Sequence, residues 1–279
     1  MSAIVKILPR RLMSRLIGRL VHWRGPRWFA HLTVYFFGKY YRIAFHEAEK
    51  DFRDYPSIGD FFIRKIKSEA RPIGQAEILH PADSRITQHG IITNGQLIQA
   101  KGMNYELKDF TQDPDAYKKW AKGYFITYYL CPTDYHRVHS PVSGQITDVR
   151  HIPGDLWPVN DWSTNAINNL FGINERVLVE IETEYGQVGV MFVGATNVGS
   201  IELDFDPTLV TNKPGTLIFN HQEYEPTVQI RKGQELGLFR MGSTIVMLYP
   251  PQIREQFLKK IDLGPRVQVN SDLIVNNSN

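Results

Sequence analysis

Three short stretches hold residue types that could do chemistry together. The densest is Asp134-Tyr-His136-Arg-Val-His139-Ser-Pro141, where two histidines three apart stand beside an acid and an arginine. Such a pair could exchange protons with a substrate, or it could tie down a hydrogen-bonded turn. Upstream, His80-Pro-Ala-Asp83-Ser84 sets a carboxylate in a turn between strand-like runs, a common place for a structural Asp. Downstream, Arg240-Met-Gly242-Ser243-Thr244 leads into the apolar run Ile245–Tyr249, and the Gly-Ser pair reads either as a bend or as a nucleophile. An acid, a histidine and a serine are the parts of an activated-hydroxyl triad. The GxSxG elbow of serine hydrolases is absent. HExxH spacing is absent too, and no third ligand stands near the histidine pair, so no metal is expected.

Taken in order, these stretches resemble the phosphatidylserine decarboxylase family, over nearly the whole chain from about Leu8 to Tyr249. The family's LGST motif stands here as Met241-Gly-Ser-Thr244, its YHRxH as Tyr135-His-Arg-Val-His139, and its PADG as Pro81-Ala-Asp83-Ser84. Further family-like runs are Ala100-Lys-Gly102, Pro153-Gly-Asp155-Leu, Asn174-Glu-Arg176, Val193-Gly-Ala195, Val198-Gly-Ser200 and Lys232-Gly-Gln234. The pattern departs at Ser84, where the family has glycine. A left-handed backbone there would strain a serine by about 1 kcal/mol. Met241 for leucine conserves volume and should matter little.

The resemblance implies a proenzyme that cuts itself between Gly242 and Ser243. Asp83, His139 and Ser243 would form the maturation triad, in which His139 takes the Ser243 hydroxyl proton and Asp83 steadies the imidazole. The hydroxyl attacks the Gly242 carbonyl, the amide becomes an ester, and elimination and hydrolysis leave a covalent pyruvoyl group at position 243. The products are a β chain, 1–242, and an α chain, 243–279, held as a heterodimer that could assemble further. The pyruvoyl group, the only cofactor implied, is the Schiff-base site at which phosphatidylserine loses CO2 to give phosphatidylethanolamine. His136 is the candidate proton donor for that step. Two other readings stay open on the residues alone: an Asp-His-Ser lipid hydrolase, and a pyruvoyl decarboxylase of a soluble amino acid.

These residues need elements to hold them. From about residue 73 the chain reads as short β-favouring runs between Gly, Pro, Asn and Asp turns: Ile91–Thr93, Tyr124–Leu130, Gly144–Val149, Val177–Thr183, Val188–Val193, Thr227–Ile230 and Thr244–Tyr249. Helices are expected near Asp113–Ala121 and Thr164–Leu170. Before residue 73, leucines at 8, 12, 16 and 20 share one helical face against Arg11, Arg15 and Arg19. A second helical stretch is expected over Glu47–Ala70, interrupted at Pro56 and Gly59, with Ser57 as an N-cap. The fold class expected is α+β, with an N-terminal amphipathic helical region (1–72) followed by a mainly β catalytic domain (73–279).

Charge separates the same two parts. The 279 residues carry a net charge of +3, but residues 1–42 hold nine Lys or Arg and no acid, which leaves −6 for the remainder. That asymmetry points to an anionic partner for the N-terminus. Each Arg at a bilayer centre costs about 2.5–3.5 kcal/mol, so the arginine-bearing stretch suits the membrane interface rather than a transmembrane helix. A peripheral site on the cytoplasmic face of a bacterial inner membrane fits, and no nucleic-acid motif accompanies the charge. The single Cys131 excludes an internal disulfide and a cysteine zinc cluster.

Overall fold

The computed structural model describes residues 10–100, 103–159, 161–196, 200–212, 218–240, 243–256 and 264–273, and for residues 10–13, 15, 99, 100, 161 and 243 the backbone alone. Its centre is an eight-stranded sheet built from β1 (Ser84–Ile91), β4 (Tyr124–Leu130), β6 (Gly144–Ile152), β7 (Arg176–Thr183), β8 (Gly186–Val193), β10 (Asn220–Ile230), β12 (Ser243–Tyr249) and β13 (Arg266–Val267). The spatial order is β10-β6-β7-β8-β12-β4-β1-β13, and every adjacent pair is antiparallel. A smaller sheet, β5-β11-β9 (Arg137–His139, Glu235–Phe239, Ile201–Leu203), and a hairpin, β2-β3 (Gln96–Ala100, Met103–Glu106), complete the β structure. The architecture is α+β with a mainly β catalytic region, as expected.

The central strands are buried on both faces. Along β12, Ile245, Met247 and Tyr249 join the core shared with the small sheet, while Val246 and Leu248 join a second core. That second core is capped by Leu107 and Phe110 of helix α4 (Leu107–Thr111), Trp120 of α5 (Ala116–Trp120) and Leu170 of α7 (Leu170–Ile173). Burial on both sides removes the apolar–polar alternation and leaves continuous hydrophobic runs. This is why β4 and β12 are legible as mostly apolar stretches, broken only by Thr127 and by the Ser243-Thr244 start, whereas β1 is not: its residues before Ile91 are mostly polar and half-buried.

The N-terminal region contains α1 (Arg10–Val21) and α2 (Arg27–Tyr40). The helical stretch expected over Glu47–Ala70 is instead three 3₁₀ turns and one five-residue helix, α3 (Ile58–Phe62). Pro56, standing just before the Ser57 cap, stops a helix from running through this point. Gly59 lies inside α3, where a Cβ would sit 2.2 Å from the His22 ring. Ser57 does cap α3, accepting from the Asp60 backbone N–H at 3.0 Å. The helix expected over Thr164–Leu170 is split into α6 (Asp161–Ala166) and α7, with Asn169 left-handed between them (φ 55°). Leu8, the first leucine of the amphipathic stripe, lies outside the described residues.

Helix α2 is apolar nearly all round. Ala30, Val34 and Gly38 face the protein, where Val34 packs with Ile43, Tyr55 and Phe61. On the opposite face Trp28, Leu32, Phe36 and Tyr40 form an exposed stripe at four-residue spacing, with Trp28 68% and Tyr40 80% exposed. Among the described residues no helix is long and apolar enough to cross a membrane.

Candidate active site

The sheet register brings the three chemical stretches to one end of the sheet. Along β4, Tyr129 pairs with Arg85 of β1 on one side and with Thr244 of β12 on the other. Ser243 pairs with Leu130, and Asp83 and Ser84 lie just before Arg85. Asp83 and Ser243 therefore start strands two spacings apart, roughly 10 Å across the sheet. The chain leaving β4 at Leu130 turns into Asp134, His136 and His139. His139 N–H then bonds to Pro81 O at 2.9 Å, which seats its strand against the Asp83 turn. Gly242 lies outside the described residues.

Asp83 is buried and held from two sides. Arg71 donates to both carboxylate oxygens, from Nη2 at 2.7 Å and Nε at 2.9 Å, and the Val269 N–H donates at 2.8 Å. Arg71 also reaches Glu47 at 3.1 Å. Among the described residues no hydrogen bond joins Asp83 to His139. His139 Nδ1 instead donates to the Gly233 carbonyl at 2.8 Å, and its Nε2 accepts from the Tyr135 hydroxyl at 3.2 Å. A carbonyl can only accept, so Nδ1 carries the ring proton and Nε2 keeps its lone pair. Burial holds His139 below the usual imidazole range, which keeps it neutral and able to take a proton.

His136 is fully buried. Its ring lies 3.9 Å from that of Phe62, and its Nδ1 donates to Asp134 O at 2.9 Å. Nε2 has no hydrogen-bond partner among the described residues. Burial, the largest cause, pulls its pKa down to about 3. Cys131, half-buried nearby, has its thiol pushed up by burial, the reverse of what a thiolate nucleophile requires.

Three of the other family-like runs, at 153–156, 174–176 and 193–195, meet at the neighbouring strand end. Asn174, fully buried, donates from Nδ2 to Gly194 O at 2.8 Å and to Trp157 O at 2.9 Å, and its Oδ1 accepts from Trp157 N–H at 3.0 Å. One amide thus fixes the 153–157 loop and the exit of β8. Val193, the residue before Gly194, pairs with Thr244, next to Ser243. Lys101, Gly102, Val198, Gly199 and Met241 belong to the family-like runs but lie outside the described residues.

A family sequence model for phosphatidylserine decarboxylase matches residues 58–275, most of the chain. The chain belongs to the phosphatidylserine decarboxylase family. Similar proteins include the phosphatidylserine decarboxylase proenzymes of Anaeromyxobacter sp. (strain K), 36% identical over 96% of this chain and 95% of that protein, and of Myxococcus xanthus (strain DK1622), 35% identical over 89% of each. That of Citrobacter koseri is 36% identical over 96% of this chain and 87% of its own length.

Within this family frame, the departure at Ser84 carries no backbone strain. Ser84 is not among the residues with positive φ; it is the first residue of β1, and its hydroxyl donates to Ala82 O at 3.2 Å. Arg71 and Tyr135 are site residues the sequence reading did not single out. Tyr135 lies inside the YHRxH run and could have been named from it. Arg71 carries no local signal, since its pairing with Asp83 depends on how two segments cross.

Proposed function

We propose that this chain is made as a proenzyme, cuts itself between Gly242 and Ser243, and then decarboxylates phosphatidylserine to phosphatidylethanolamine. The observation that carries the reading is a neutral, half-buried histidine whose Nε2 keeps its lone pair, met only by the Tyr135 hydroxyl, on a strand stitched to the Asp83 turn at the sheet end where β12 begins. The family membership supplies the reaction class.

In the cutting step, His139 Nε2 takes the Ser243 hydroxyl proton once Tyr135, which donates to that atom here, yields its place. The Gly233 carbonyl holds the tautomer, and Asp83 supplies nearby negative charge for the imidazolium that forms. The site fits a carbonyl cofactor at position 243, because β12 is paired along both edges, with β4 and with β8, so the new chain start stays clamped in the sheet. The pyruvoyl group, once present, supplies the electron sink for decarboxylation. His136 gives the returning proton. With a pKa near 3 it carries an acidic proton only when an anionic substrate beside it draws its pKa up.

The test is direct. Purified protein should show two polypeptides by intact mass, the smaller beginning at position 243 with a blocked N-terminus that reacts with hydroxylamine, and it should release CO2 from phosphatidylserine. An uncut chain with turnover would end the reading.

The exposed stripe of α2, with the basic residues around it, is the proposed membrane-docking surface. Replacing Trp28, Phe36 and Tyr40 together by serine in the full chain should lower co-sedimentation with phosphatidylglycerol-containing liposomes about tenfold or more, each aromatic adding roughly 1–2 kcal/mol of apolar burial. Unchanged co-sedimentation would remove the surface from the account.

A further inference from the structure

Beside Asp83 opens a cavity of about 470 Å³ whose charged walls do not balance. Four arginines line it: Arg42, Arg64, Arg71 and Arg266. Three acids face them. Glu47 and Asp83 are taken by Arg71, and Asp134 by Arg266. Arg42 and Arg64 have no carboxylate partner among the described residues.

Arg64 is the unusual one. It is 5% exposed, yet its Nε and Nη1 have no hydrogen-bond partner among the described residues. Its Nη2 makes only long contacts to Thr133 O and Asp134 O, at 3.4 and 3.5 Å, and its guanidinium lies over the Phe61 ring at 5.3 Å. Asp83 and Glu47 offset its charge only from a distance, and a buried cation with no bonded counter-ion is costly, since arginine cannot escape by losing its proton. Arg42 also departs from local preference. It occupies the left-handed position after α2 (φ 55°), where Ile43 N–H returns to Gly38 O and its own N–H to Lys39 O. That position normally takes glycine.

We propose that Arg64, with Arg42 at the rim, binds the phosphodiester of a glycerophospholipid headgroup. This rests on the function proposed above and names how that site holds its substrate. Placement supports it. The Asp134 carbonyl that Arg64 contacts also accepts from His136, so the guanidinium lies one peptide group from the proposed proton donor. Arg42 follows directly on α2, whose exposed stripe is the proposed docking surface. A phosphodiester lies between the acyl chains and the reacting head in the same order.

The chemistry selects the phosphate over the substrate's carboxylate. A carboxylate loses its charge as CO2 departs, so a tight arginine pair would hold the ground state more firmly than the transition state and slow the reaction. The phosphodiester stays anionic throughout, and its two free oxygens suit a guanidinium fork.

The test uses self-cleaved enzyme, with cleavage checked on a gel, and dihexanoylphosphatidylserine as soluble substrate. Arg64→Met should raise KM about 10- to 100-fold, more than it lowers kcat, without lowering Tm, because it removes a buried charge whose Nε and Nη1 have no hydrogen-bond partner among the described residues. Binding of dihexanoylphosphatidylcholine, which carries the phosphodiester but no carboxylate, should weaken by the same factor. Exposed Arg42→Gln should move both quantities in the same direction by less, and stands as the second variant should Arg64→Met fail to fold. Unchanged KM and phosphatidylcholine binding would overturn the proposal, as would a lowered Tm with both unchanged. Inorganic phosphate bound as tightly as the short-chain lipid, and lost on Arg64→Met, would make this a free-phosphate site and overturn the headgroup assignment. Arg64-dependent phosphatidylcholine binding in a protein that decarboxylates nothing would sink the proposed function and leave this site standing.

Discussion

Ser243→Ala protein is expected to run as one uncut chain of 32.2 kDa and to turn over no phosphatidylserine. The alanine has no hydroxyl to attack the preceding carbonyl, so both the scission and the carbonyl it creates are lost together. The fold should survive, since β12 is held by its backbone pairs to β4 and β8 and by the buried residues Ile245 to Tyr249, none of which changes. Enzymes gain at least 10⁶-fold over the uncatalysed rate, and without an electron sink all of that gain is forfeited. Two bands on a denaturing gel, or CO2 release by the uncut variant, would contradict the assignment.

His139→Ala should cut itself about 10²- to 10⁴-fold more slowly, the usual worth of a positioned base. The pH profile carries a sharper signature. Burial lowers the pKa of His139 from the ordinary 6.5, so the ring is neutral and ready above that pH and is progressively protonated only below it. The rate of self-cleavage in wild type should therefore stay flat from pH 8 to about 6.5 and fall only in more acidic solution, and the alanine variant should lack that fall. His136→Ala makes the contrast: normal cutting, followed by poor decarboxylation. A His139→Ala chain that matures at the wild-type rate would clear this histidine of its role.

The sequence disclosed the strands that are buried twice over. Tyr124–Leu130 is bounded correctly because aromatic and β-branched residues, Thr127 among them, fill it almost from end to end, and Thr244–Tyr249 misses only Ser243. It concealed what depends on crossing. Strands β5 and β9 have three residues each, too few for a periodic signal, and their residues are shaped by a sheet assembled from distant segments. The stretch over Glu47–Ala70 has helical spacing of apolar residues, but Phe61 and Phe62 use it to face two different partners, Phe45 and Tyr55 on one side and His136 on the other. At the site, the motif residues were readable, while the companions were not. Arg71 meets Asp83 across 12 residues and Arg64 meets Thr133 across 69, distances at which no local pattern records the contact.

The position of β12 in the middle of the large sheet has a thermodynamic consequence. Before scission, the strand enters between β8 and β4 as part of one polypeptide, and its threading is an intramolecular event. Once cut as proposed, the peptide that starts at Ser243 would have to find that slot from solution, against translational entropy. The proenzyme is then the only species that assembles readily. Maturation becomes a ratchet: a molecule once unfolded has lost the covalent memory of how it was put together, and its working life is set by how slowly it first comes apart.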